Sequence, residues 1–171
     1  MANLNFDMVA SPNFVRFVYD GDGSMDPADP DAAGPPGSDV IEHILVNYFS
    51  SQGLESEPTP FDGRSDYGPF IAEGIPAGGT FSGAEGIKTP EQADVHGGTA
   101  GEPYDSCYHQ ACDTLANLNL VALDQFSDAA AHATAVLAQL RGPLSGADTS
   151  GPKPKRGKGH AKAFKGSHAQ R

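Results

Sequence analysis

Long apolar runs are missing from this 171-residue chain: no stretch approaches the roughly 18 residues a membrane-spanning helix needs. Hydrophobic residues reach only 38%, while 21 glycines and 14 prolines supply turns, so the expectation is one modest core with much loop. The glycines follow no three-residue period, which excludes a collagen-like rod. Met1 to Asn5 offer neither the basic stretch nor the apolar run of a signal peptide, so none is expected here. Cysteine is limited to Cys107 and Cys112, which by count alone leave the redox compartment open. Cations are scarce over residues 1–150, where Arg16, Arg64, Lys88 and Arg141 face all 22 acidic residues, a formal charge of −18. Such a body repels nucleic acid and anionic membranes.

The charge that is present elsewhere has the opposite sign. Residues 151–171 hold seven Lys and Arg and no acid. Domain organisation therefore reads as a folded unit over residues 1–145 and a basic, disordered tail over 146–171. The tail reads as an inert disordered extension; diffuse polyanion binding and folding back on the acidic body are the alternatives, and no specific nucleic-acid contact is expected.

Within the folded unit, residues 3–10 alternate, with Leu4, Phe6, Met8 and Ala10 on one side and Asn3, Asn5 and Asp7 on the other. That period of two predicts a strand, and Phe14 to Tyr19 predicts a second. Asp20 to Ser38, with four prolines, four glycines and five acids, reads as loop. Ser38 is positioned to cap a helix whose apolar face is Val40, Ile41, Ile44, Leu45, Tyr48 and Phe49, ended by Gly53. Ser65 is placed to cap a shorter helix carrying Tyr67, Phe70 and Ile71, stopped by Gly74 and Pro76. Residues 77–106 read as Gly-rich loop with brief extended pieces. Asn119 opens a last helix through Leu123, Phe126, Ala130, Ala133, Leu137 and Leu140, which Gly142-Pro143 stops.

Several residues stand out chemically. Asp7 lies between Phe6 and Met8 in an apolar strand. A buried carboxylate is normally paired or metal-bound, so Asp7 is a metal ligand or a strand-end residue bonded to backbone amides. A disulfide between Cys107 and Cys112 would close a six-residue ring and fix Tyr108 and His109; two thiols beside a surface histidine is the other reading. Asp113 could orient His109 through a ring N–H or cap the next turn. Arg64 is paired with a surface carboxylate or holds a carbonyl or carboxylate in a cleft. Asp20-Gly21-Asp22-Gly23-Ser24 begins like a calcium loop, but Met25 stands where that loop requires Gly, so a solvated acidic loop is expected.

Five segments taken together carry a family resemblance: residues 3–8 (NLNFDM), 63–70 (GRSDYGPF), 74–79 (GIPAGG), 81–88 (FSGAEGIK) and 104–114 (YDSCYHQACDT). In this order they resemble the secreted co-catalytic zinc aminopeptidases, in particular the streptomycete leucine-type family, over residues 3–141. The resemblance implies an α/β fold, three-layer α/β/α around a mixed, largely parallel sheet, incomplete on its N-terminal side. It implies two zinc ions in the complete enzyme, with Asp7 and His109 as ligands of one each, and Tyr108 as donor to the oxyanion. Arg64 would position substrate, and Met8, Gly63 and Phe81 would line a pocket for an apolar first side chain. Asp124 and Asp128 match a calcium site; four apart on one helix face, they equally suit a solvated surface.

The family's His-x-Asp segment and adjacent Glu-Glu pair have no match in this chain. These supply the first His ligand, the bridging Asp, the general base and a further ligand, so two ligands of five remain. The expectation is a metalloaminopeptidase releasing apolar N-terminal residues, present as a truncated copy that is inactive alone. The substrate would be a peptide with a free N-terminus, the state a monomer and the location secreted. The alternative is a non-catalytic remnant whose basic tail binds polyanions.

Overall fold

The computed structural model describes residues 1–29 and 31–144; the predicted basic tail lies outside them. Strand β1 runs Asn3–Asp7, β2 Phe17–Tyr19, β3 Glu57–Thr59 and β4 Ala77–Phe81. Helix α1 spans Ser38–Ser51, α2 Gly68–Ala72, α3 Pro90–His96 and α4 Leu120–Gln139, with a 3₁₀ turn at Leu115–Asn117. The strands form one sheet in the order β1-β4-β2-β3. β1 runs parallel to β4 and β2 parallel to β3, and β2 meets β4 antiparallel, so the sheet is mixed and mostly parallel.

The period of two in β1 decides what each side chain meets. Leu4 packs with the core on one face, where Phe14 and Val18 join Ile41, Leu45 and Phe49 of α1 and Ala122, Phe126, Ala129 and Ala133 of α4. Phe126 sits edge-on to both Phe14 and Phe49. On the opposite face Tyr19 and Ala77 pack with Tyr67, Phe61, Phe81 and Ile71, the last from α2. Helical or loop layers therefore cover both sides of the sheet.

Three expected boundaries move. β1 ends at Asp7, so this residue terminates the strand instead of occupying its centre. The second strand is only Phe17–Tyr19. The stretch read as loop after residue 76 contains β4 and α3, the latter opened by a capping box between Thr89 and Gln92. Two expected caps also differ. Gly37, at φ 107°, precedes α1, while the Ser38 hydroxyl accepts from the Ala77 amide at 3.0 Å and ties α1 to β4. Tyr67, not Ser65, precedes α2. Asn119 does cap α4, its side chain accepting from the amides of Val121 and Ala122.

Gly79 faces Asn5 across the β1–β4 ladder. A Cβ there would lie 1.7 Å from the Asn5 carbonyl oxygen, so only glycine lets the two strands close. That closure fixes the strand ends on which the candidate site is built.

Candidate functional site

The polar side of β1 points into the protein, not to water. Asn5 is buried, and Asp7 is partly buried at the strand's C-terminal end. Both reach Ser65: the hydroxyl donates to Asp7 Oδ2 at 2.7 Å and accepts from Asn5 Nδ2 at 2.8 Å. Its proton and one of its two lone pairs are thus turned toward β1 and not toward α2. Beneath this group lies Tyr19, whose phenol is pushed up to about 12 by burial, with the Asp7 and Asp62 carboxylates adding to the effect.

Ser65 is carried by a braced loop. Asp62 Oδ1 accepts from the Arg64 amide at 3.0 Å and from the Tyr67 hydroxyl at 2.9 Å, and that hydroxyl accepts from the Gly63 amide at 2.8 Å. Tyr67 is 1% exposed and packs edge-on to Tyr19 and Phe61. Burial raises its pKa, and its hydrogen bond to Asp62 raises it further, so it stays a neutral donor.

Arg64, the next residue, projects outward. Its Nη2 meets Glu85 Oε1 at 2.8 Å, with both side chains more than half exposed. That hydrogen bond raises the guanidinium pKa, and the Tyr108 side chain, against the same guanidinium, adds to the effect. Tyr108 in turn stacks on His109, ring centroids 4.0 Å apart. A disulfide joins Cys107 to Cys112, with Cα atoms 5.4 Å apart, and brackets the pair.

Among the described residues, only Met8 and His109 are non-glycine residues with positive φ, at 49° and 56°. A left-handed backbone at such residues persists only where neighbours enforce it. At Met8 the enforcing contacts are visible: its carbonyl accepts from both the amide and the hydroxyl of Ser82, directly after β4. His109 lies inside the ring closed by the disulfide. Phe81 lies opposite Asp7 in the ladder and stacks on Phe17.

Asp7, Met8, Phe81, Gly63 and Arg64 thus gather at the C-terminal ends of the parallel pair β1–β4, and Tyr108, with His109 stacked on it, approaches Arg64 from the disulfide loop. Asp113 is turned elsewhere: its carboxylate accepts from Asn117 and, among the described residues, makes no hydrogen bond to His109. Asp124 and Asp128 are exposed on α4, where both carboxylates bear on Tyr48 of α1 and, after burial, raise its phenol pKa. Ser65, Asn5, Ser82 and Glu85 are supporting residues that local pattern does not reveal; only the fold brings them to positions 7, 8 and 64.

A separate acidic group forms where the 20–38 loop meets α1. One carboxylate oxygen from each of Asp20, Asp22 and Glu42 lies within 4.8 Å of the others. The loop start is not simply solvated as expected: Asp20 is buried and accepts from the amides of Ser24 and Met25, and Glu42 enters from a different element. Burial, then Asp22 and Asp20, push the Glu42 carboxyl up to about 8.

A sequence model described as Peptidase family M28 matches residues 1–134. A protein named aminopeptidase from Pseudomonas aeruginosa is 54% identical over 136 residues, covering 80% of this chain and 25% of that protein. Leucine aminopeptidase 2 of Trichophyton rubrum is 47% identical over 155 residues, covering 91% of this chain and 29% of that protein. Leucine aminopeptidase 2 of Arthroderma otae is 45% identical over 170 residues, covering 94% and 34% respectively. The chain therefore spans between a quarter and a third of the length of these relatives.

Proposed function

The chain belongs to peptidase family M28, and from that premise we propose that it is part of a metal-dependent aminopeptidase, contributing one side of the active site. The observation that supports the reading is the gathering of residues 7–8, 63–65 and 81 at the C-terminal ends of β1 and β4, with Tyr108 beside Arg64. Open α/β sheets carry their sites at that edge.

Asp7 and His109 are the residues that would hold zinc, which when bound supplies Lewis-acid polarisation and an activated water. The donor types fit. One oxygen of Asp7 is taken by Ser65, which orients the carboxylate, and the other is left for a metal. In the proposed site the Tyr108 hydroxyl donates to the substrate oxygen as negative charge develops on it. An arginine has donors only, so Arg64, whose guanidinium pKa the nearby Tyr108 side chain raises, does not compete for the phenol proton. Arg64 positions the peptide, and Met8, Gly63 and Phe81 line the pocket for an apolar first side chain. The other ligands and the general base lie outside these 171 residues, the chain alone is inactive, and the protein is secreted and monomeric. Calcium at Asp124 and Asp128 remains part of this proposal.

The test is hydrolysis of a leucyl anilide by the protein that contains this chain. His109→Ala should abolish chelator-sensitive turnover. Tyr108→Phe should lower kcat by about 10²–10³-fold with little change in KM, the cost of one oxyanion donor. Full activity in either variant refutes the assignment.

A further inference from the structure

Away from the strand ends, a buried polar chain crosses the fold. The side chain of His96, at the end of α3, has no exposed surface. Its Nδ1 lies 3.1 Å from Arg16 Nη1, and its Nε2 lies 3.1 Å from Glu57 Oε1 in β3. A guanidinium has five donors and no acceptor. The ring nitrogen facing it is therefore the one with the free lone pair. The proton of the neutral imidazole then sits on Nε2 and is donated to Glu57. Hydrogen-bond partners thus select one tautomer, and they do so through two residues 41 positions apart in sequence.

The contacts continue on both sides. Arg16 Nε donates to Gln125 Oε1 of α4 at 2.8 Å. Gln92 Nε2 donates to the other oxygen of Glu57 at 2.8 Å, and the Tyr104 hydroxyl donates to Gln92 Oε1 at 2.7 Å. Five hydrogen bonds link α4, the segment before β2, α3, β3 and Tyr104, three residues before the disulfide loop.

The charged groups around His96 are Arg16, Glu57 and Lys88. Lys88 is buried and donates to the carbonyls of Phe14 and Gly97. Burial lowers the pKa of both cations, and Arg16 lowers that of Lys88 further. At Glu57 burial acts upward, but the hydrogen bonds from His96 and Gln92 outweigh it and hold the carboxyl below its usual range. Two cations already face one anion. A second proton on His96 would make it three to one, and would set an N–H against the N–H of Arg16.

We propose that His96 is a pH-operated latch: neutral and protonated on Nε2, it ties Arg16 to Glu57, and a proton taken up on Nδ1 releases Arg16 and frees α3 from its link to α4. No covalent bond changes. The Nδ1 lone pair gains a proton from solvent, and the Arg16 N–H···Nδ1 hydrogen bond is lost.

Long-range ¹H–¹⁵N correlation on the full chain tests this. At neutral pH, Nδ1 should show the shift of an unprotonated nitrogen and Nε2 that of a protonated one. On acidification, protonation of Nδ1 should move the Arg16 Nε–H and Gln125 amide signals with the same midpoint as the ring nitrogen itself. His96→Gln supplies a second measurement, because it keeps an acceptor for Arg16 and a donor for Glu57 but cannot titrate. The native chain should lose melting temperature relative to this variant as acid is added, a difference in which all other titrating groups cancel. A proton on Nδ1 at neutral pH, or Arg16 signals that stay still as Nδ1 protonates, would overturn the latch. If the variant does not fold, the spectra of the native chain decide alone.

Discussion

The Ser65 hydroxyl donates to Asp7 Oδ2 at 2.7 Å across 58 residues of chain, and Ser65 Oγ itself accepts from the buried Asn5 amide at 2.8 Å. One small side chain thereby holds the carboxylate at the end of β1 and satisfies a donor inside it. Ser65→Ala should remove a charge-assisted hydrogen bond and strand the Asn5 amide. Hydrogen bonds to charged groups contribute about 1.5–3 kcal/mol, and a loss of that order should appear as a lower midpoint in urea with an unchanged slope. An unchanged midpoint would mean that water replaces the hydroxyl without cost.

Glu42 gives the stability curve a defined sign. Its carboxyl is pushed up to about 8 from an ordinary 4.5 by burial and by Asp22 and Asp20. The folded state then binds a proton that the unfolded state has released, so this contribution is complete below the ordinary value and is lost as pH rises through about 8. Glu42→Gln cannot ionise. Its melting temperature should fall less than that of the native chain between those two pH values, and parallel curves would refute the assignment.

The disulfide's constraint on His109 should be separable from the fold. The ring between Cys107 and Cys112 is small, and Cys112 is exposed on a loop outside the sheet. Reduction by a dithiol should cost about 2 kcal/mol on the loop-entropy estimate. Far-ultraviolet dichroism should be retained, while the His109 ring resonances shift as the positive φ relaxes. Global unfolding on reduction would show that the loop supports the core.

Gly79 should tolerate no side chain. A Cβ at this position would meet the Asn5 carbonyl at 1.7 Å, and that atom belongs to backbone that cannot swing aside. Gly79→Ala should give little soluble folded protein. The control is Gly53→Ala, where nothing lies within 4 Å and only the positive φ of 70° is penalised. That substitution should fold with a loss of about 1 kcal/mol. Equal behaviour of the two would show that β1 and β4 are not closed as described.

Much of the frame was legible in the chain itself. The alternation of residues 3–7 marks β1, the apolar spacing from Val40 to Phe49 marks α1, and Asn119 with Leu123, Phe126 and Ala133 marks α4. These signals are local, because each element writes its own period into consecutive residues. β4 was not legible. Its Ala-Gly-Gly-Thr-Phe has the composition of a loop, yet Gly79 is there because β1 passes close by and Gly78 because Ile41 of α1 does. β3 is three residues long with a proline in it, too short for any period to register.

The same division holds for the site. Residue types and spacing singled out Asp7, Arg64 and His109, since acids, cations and histidines in apolar or constrained settings are chemically conspicuous one at a time; the role of Tyr108 came only with the family resemblance. Only tertiary structure decided that Ser65 serves Asp7 and not a helix, that Glu42 joins Asp20 and Asp22, and that Arg16 selects the tautomer of His96. The physical reason is that a hydrogen bond or a shifted pKa belongs to a pair of groups. Where the partners lie 20 to 80 residues apart, no local pattern records the pairing, and the closing of the sheet creates it.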